Sequence, residues 1–288
     1  MILAVIKIMA RLPLPLIHFI AWPLGMLLVL IPNKQRHCAR INVRICLPQY
    51  SFWRRQYIWM RSLIEIVKTF LETPRLWMSD PDSVLQLVRK VDGLDAIEQA
   101  IKMGKGVILI APHLGNWEMI GLFLTPQLPM VMMYRPQKNK ELDDIIRNGR
   151  RRFGGELVPS TRKGLAILLK SLHENKTIGI LPDQNPGAGT GVFVPFFGIP
   201  ANTPVFATRL ASRTGAAAFI VTAERLRFGQ GYHLKLSPTS ECLYDQDVEI
   251  GAACMNRDME KIILQRPEQY WWGYNRFRHR PEGEADIY

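Results

Sequence analysis

The chain has 288 residues, a formal net charge of +12 at neutral pH and 48% hydrophobic residues. That length suits one α/β domain with a full core, and no internal repeat or low-complexity linker divides it in two. The basic balance does not point to nucleic acid, because the cations cluster beside the most apolar segment and no zinc-finger, helix-turn-helix or RNA-recognition signature occurs.

Residues 1–61 hold nine Lys and Arg and no Asp or Glu, so they carry +9 of the net +12. Leu12–Ile31 has no formal charge, and its twenty residues are just long enough to cross a hydrocarbon core of about 30 Å. Pro13, Pro15 and Pro23 interrupt a helix there, while His18 and Trp22 suit an interface, so a spanning anchor and a kinked interfacial anchor are both physical. A cleaved signal peptide is disfavoured: no clear small-residue cleavage site follows, and the basic stretch after the apolar run keeps the remainder in the cytoplasm. The expected division is an N-terminal membrane anchor at 1–32 and a catalytic domain at 33–288. Cys38, Cys46, Cys242 and Cys254 form no CxxC pair and are expected as reduced thiols, with no metal bound.

Val107–Ala111 reads as a buried strand ended by Pro112, and a helix resumes near Trp117 after a turn at Gly115, with Asn116 as its N-cap. His113 and Glu118 fall on either side of that turn. Five residues apart on a continuous helix they would point roughly 140° apart, so they can cooperate only if the loop folds His113 back. A neutral imidazole can take a proton from an alcohol, and a carboxylate on its other nitrogen fixes the tautomer. No Ser or Cys nucleophile lies in the stretch, which favours direct attack by a substrate hydroxyl over a covalent enzyme intermediate. Backbone amides near Gly115 and Asn116, or the guanidinium of Arg135, are the expected oxyanion donors.

PMVMMY at 129–134 reads as a second strand, with Arg135 at its exit, where open α/β sheets gather ligands. The basic run that follows, including Arg147, Arg150, Arg151 and Arg152, is either an anion-binding face or a solvated helix paired with Glu141, Asp143 and Asp144. Thr177–Pro182 reads as a third strand, and Asp183 leaves its end as His113 leaves the first. The glycine-rich stretch at 185–198 lacks the P-loop pattern. Its Phe193, Phe196 and Phe197 are expected either to wall an acyl-chain site or to pack in the core, and a helix over Thr203–Thr214 would cover that wall. The aromatics Tyr270, Trp271 and Trp272 precede Arg276, Arg278 and Arg280 in a strip that faces either core or headgroups.

HLGNWE at 113–118, Tyr134-Arg135-Pro136, LPDQNPG at 181–187, VFVPFFGIPANTP at 192–204 and PEQYWWGYNRFRHRPEG at 267–283 together resemble the bacterial lipid A biosynthesis acyltransferases of the lysophospholipid acyltransferase superfamily. The resemblance covers nearly the whole chain. It implies an α/β fold, a single layered domain with a mostly parallel central sheet flanked by helices, plus a hydrophobic anchor helix. It also implies transfer of a fatty acyl chain from acyl carrier protein to a hydroxyl of a lipid A precursor, without a cofactor. The setting would be the cytoplasmic face of an inner membrane with an anionic surface. Acylation of another membrane lipid or glycolipid, thioester hydrolysis and non-catalytic lipid binding are the alternatives. On this reading His113, Glu118 and Asp183 are catalytic, Glu118 orienting the imidazole and Asp183 assisting. Substrate would be held by Arg135, Asn116, Gln184, Asn275 and Arg276. The pair Asp183-Gln184 departs from the glutamate-glycine common in glycerolipid relatives.

Overall fold

A computed structural model describes residues 2–134, 136–159 and 161–288. Four helices open the chain: α1 (Ile2–Arg11), α2 (Leu14–Leu30), α3 (Lys34–Cys46) and α4 (Phe52–Met78). They are followed by α5 (Pro81–Leu85), β1 (Val88–Asp92), α6 (Leu94–Lys102), β2 (Val107–Ile110), α7 (Trp117–Leu124), β3 (Met130–Tyr134) and α8 (Lys140–Arg151). Next come β4 (Glu156–Pro159), α9 (Arg162–His173), β5 (Thr177–Ile180), the strands β6 (Val192–Phe196) and β7 (Ile199–Thr203), and α10 (Phe206–Thr214). The chain continues through β8 (Ala217–Arg225), β9 (Tyr232–Pro238) and α11 (Val248–Ile263).

The main sheet has the order β1-β9-β8-β2-β5-β3-β4. From β8 to β4 all pairings are parallel, and β9 is antiparallel to β8, so the expected mostly parallel α/β sheet is present. Helices cover both faces, as parallel strands require. Alternation along β2 feeds two cores: Ile108 and Ile110 join α3, α4, α9, α10 and α11, while Val107, Leu109 and Ala111 join α2, α6 and α7.

The expected anchor at 1–32 forms two helices, α1 and α2, rather than one. Pro13 is the extended residue that caps α2, Pro15 lies in its first turn, and Pro23 is inside it. With 17 residues, α2 is about 26 Å long, short of a hydrocarbon core of about 30 Å. No single helix among the described residues is long and apolar enough to cross a membrane; α2 and α3 pass together on length and composition but are bent by 80°. Instead α2 lies along α4, burying Ile17, Ala21 and Val29 and exposing Phe19, Trp22, Leu27 and Leu30.

The stretch after Gly191 forms the antiparallel hairpin β6–β7, and two further expectations change. Thr203 ends β7, so the following helix starts at Phe206. Cys242 and Cys254 form a disulfide, because α11 brings their Cα atoms to 5.8 Å, within bridging range, while Cys38 and Cys46 are free and buried.

Candidate active site

Strands β2 and β5 are neighbours in register, with Ile110 opposite Ile180. Three residues beyond each of these, past Pro112 and Pro182, come His113 and Asp183, so equal offsets from a shared register set the two side by side. The Asp183 carboxylate accepts from the His113 backbone N–H at 2.8 Å and from the ring Nδ1 at 2.6 Å. A carboxylate can only accept, so Nδ1 carries the proton and Nε2 presents a lone pair. Asp183 is 1% exposed. Burial opposes its ionisation, but the imidazole and the two donated hydrogen bonds outweigh this and hold its pKa below the usual carboxylate range.

The ring of His113 packs edge-on against Trp117 at 4.8 Å and Trp271 at 5.7 Å, and the two indoles stack at 6.0 Å. The Trp271 backbone N–H donates to the His113 carbonyl at 3.0 Å, which ties the C-terminal segment to the loop. Gly115 makes the turn possible: its φ is +65°, and a Cβ there would lie 2.0 Å from the Ala223 carbonyl oxygen. The amides of Gly115 and Asn116 donate to the carbonyls of Gln269 and Ala223, so these two expected oxyanion donors are already engaged.

Glu118 does not reach the imidazole nitrogen that Asp183 occupies. As the second residue of α7 it turns toward α4 and α8, where it accepts from Trp77 Nε1 at 2.9 Å, Arg150 Nε at 3.0 Å and Arg150 Nη2 at 2.5 Å. Burial raises its pKa, and the fork of Arg150 together with Trp77 and His113 pulls it below the usual value. The guanidinium also sits 5.5 Å from the Tyr134 ring centroid. Burial and a hydrogen bond to Asp143 push the Tyr134 phenol up to about 12. Arg150 follows Asp143 and Ile146 on the buried side of α8, a helical phase that distinguishes it within the RNGRRR run. Gly149 lets α8 approach closely, since a Cβ there would lie 2.6 Å from that of Trp77.

His113, Trp117, Glu118 and Arg150 line a cavity of about 270 Å³ that continues between β2, β3, β5 and α7 past Ile120, Leu122, Met130, Met132, Met133 and Ile180. One end is polar and the remainder apolar. Its apolar wall is therefore not the expected phenylalanine run. Phe196 is 1% exposed in the core, Phe197 packs against Trp272, and Phe193 faces outward, because pairing of β6 with β7 turns the run away from the β2–β5 mouth.

The residues expected to hold substrate are scattered. Arg276 is buried, donating to Asn202 O at 2.6 Å and Thr203 Oγ1 at 2.8 Å over the Phe196 ring, and so fastens the hairpin to the C-terminal segment. Asn116 is fully buried and makes no side-chain cap; its Nδ2 donates to Glu72 Oε2 at 3.0 Å. Gln184 and Asn275 are half-buried and do not line the cavity. Arg135 lies outside the described residues.

A family model described as bacterial lipid A biosynthesis acyltransferase matches residues 1–279. The chain is 30% identical to a lipid A biosynthesis palmitoleoyltransferase of Escherichia coli (strain K12), over 99% of this chain and 92% of that one. It is 28% identical to a lipid A biosynthesis lauroyltransferase of the same organism, over 99% and 93%. A phosphatidylinositol mannoside acyltransferase of Mycobacterium tuberculosis is 29% identical over 62% of this chain and 56% of its own.

Proposed function

The chain belongs to the bacterial lipid A biosynthesis acyltransferase family, and from that premise we propose that His113 is the general base by which it acylates a hydroxyl of a lipid A precursor, using acyl carrier protein thioester as donor. One observation carries the reading: the buried Asp183 carboxylate holds His113 Nδ1 at 2.6 Å while the ring lines a cavity that runs from a polar mouth into an apolar slot.

In this mechanism Nε2 takes the proton of the acceptor hydroxyl as its oxygen attacks the thioester carbonyl. A tetrahedral oxyanion forms, the C–S bond breaks, and the imidazolium returns its proton to the departing thiolate. Asp183 keeps the productive tautomer and stabilises the imidazolium. Glu118 holds Arg150 at the mouth, where a guanidinium can meet the developing oxyanion; one good donor is worth about 3 to 4 kcal/mol. The acyl chain lies along Ile120, Leu122 and the three methionines, whose flexible side chains fit an unbranched chain.

The exposed face of α2 continues through Phe52, Trp53 and Tyr57 at the start of α4, beside the cations of α3. An apolar face rimmed by basic residues supports docking in the interface of an anionic membrane, and on this reading the reaction takes place at the cytoplasmic surface of an inner membrane. The decisive experiment incubates a tetraacylated precursor with purified protein and a panel of acyl carrier protein thioesters, and weighs the product. One added acyl mass that is lost in His113→Ala supports the reading. No product with any donor, from folded and membrane-bound protein, rejects it.

A further inference from the structure

A second cavity, of about 910 Å³, opens between α2, α4 and the β8–β9 turn and shares no lining residue with the cavity at His113. Five permanent cations face it (Arg61, Lys68, Arg225, Arg227 and Arg266) against three carboxylates (Glu65, Glu224 and Glu268). Its floor is closed electrostatically. Arg225 donates to Glu72 at 2.7 Å and to Glu65 at 2.9 Å, and Glu65 also accepts from Arg61 at 2.9 Å and Lys68 at 2.6 Å. Glu224 is taken by Lys235 and Arg266, His18 by Glu72 and His233 by Asp92. Among the lining groups without an ion pair among the described residues are the Arg227 guanidinium and the Glu268 carboxylate, and the buried Arg61 Nε is unpaired, so five cations against three carboxylates leave the cavity net positive.

The mouth is aromatic. Phe19, Trp22 and Tyr57 stand at the rim 76%, 52% and 43% exposed, and Phe228, at the tip of the β8–β9 turn, is 82% exposed. Phe228 is held at φ +54°, which an L-residue rarely adopts, because the next residue packs against the backbone of Leu14 and Pro15 at the start of α2. The turn thus projects an apolar tip and a free guanidinium beside the exposed apolar face of α2.

We propose that this cavity binds the phosphate-bearing headgroup of a membrane lipid, with Arg61, Arg227 and Arg266 on the phosphate oxygens and the aromatic rim in the acyl boundary. The cations supply charge-assisted donors for an anion with several acceptor oxygens, and the amphipathic rings suit the membrane surface. This rests on the docking part of the reading above but not on the reaction.

The test compares binding to phosphatidylcholine vesicles with and without phosphatidic acid, for wild type, Arg227→Gln, the pair Arg61→Gln/Arg227→Gln, and a control pair, Lys102→Gln/Lys105→Gln, of equal charge change on exposed positions at and just beyond the end of α6. The exposed Arg227 guarantees one variant whose fold is undisturbed. Phosphatidic acid should strengthen wild-type binding, and each cavity cation removed should weaken that gain about fivefold, the factor for about 1 kcal/mol per cation at an anionic surface. The control pair should keep most of the gain. Equal losses in both pairs, or no gain from phosphatidic acid, would overturn the site. Tight binding of inorganic phosphate to vesicle-free protein, abolished by Arg227→Gln, would transfer it to a soluble phosphate. Acyl transfer measured in detergent on the same variants separates failure of this site from failure of the reaction.

Discussion

Asp183→Asn separates the two carboxylates most sharply. The Asp183 side chain accepts two hydrogen bonds at once, from the His113 backbone N–H and from ring Nδ1. An amide has one accepting oxygen. If that oxygen stays on the backbone N–H, the amide NH2 faces Nδ1 and forces the proton onto Nε2, where it blocks the base. Flipping the amide sets donor against donor at a buried position, at a cost of about 1 to 3 kcal/mol. The imidazolium also loses its counter-charge, worth about 4 kcal/mol at about 4 Å and an effective dielectric of about 20. The two effects total about 5 to 7 kcal/mol, a fall in kcat of about 10⁴-fold or somewhat more, the order seen for the same change in a Ser-His-Asp triad. KM should change little, since Asp183 touches the imidazole and not the cavity. Single-turnover transfer, with folding verified by thermal denaturation, measures this. A folded variant within about tenfold of wild type would refute the reasoning, as would a larger loss of kcat in Glu118→Gln.

Glu118→Gln removes the charge that two nitrogens of Arg150 share, so it should destabilise the protein by about 2 to 4 kcal/mol in chemical denaturation while reducing kcat less than Asp183→Asn does. Met132→Trp fills the apolar slot and should move donor preference to shorter chains in a competition between mixed thioesters; each excluded methylene is worth about 0.8 kcal/mol, and an unchanged preference would place the chain elsewhere. Asp183 and Glu118 both have folded pKa values below their unfolded ones, so their stabilisation is complete above about pH 5 and is lost as pH falls through the unfolded and then the depressed folded values. Wild-type urea midpoints should therefore fall over that acid range more steeply than those of Asp183→Asn; parallel curves would contradict the assignment.

Much of the candidate site is legible in the chain itself. A β-branched run stopped by Pro112 places His113 at a strand end, and Thr177–Ile180 followed by Pro182 does the same for Asp183, because periodicity and proline are local signals. The basic and apolar composition of residues 1–61 is likewise written in the chain, while the mostly parallel sheet is what the resemblance to the acyltransferase family implies. Which carboxylate meets the imidazole is not a local property. His113 and Glu118 look like partners by spacing, yet the start of α7 sends Glu118 to Trp77 and Arg150, which come from helices α4 and α8. Asp183, 70 residues from His113, becomes its partner because β5 pairs with β2 in register. Tertiary packing also carries Phe196 of the β6–β7 hairpin into the core, leaves Phe193 exposed, and gives the apolar slot to methionines of β3. The basic cavity under α2 arises the same way, from side chains far apart in sequence that share one location only once helices pack, and the disulfide joins cysteines 12 residues apart that meet only when α11 folds back on the segment before it. Local free-energy preferences set where strands and helices begin and end. The pairing of those elements, decided by burial over the whole chain, sets which charges must neutralise one another, and so which carboxylate meets His113.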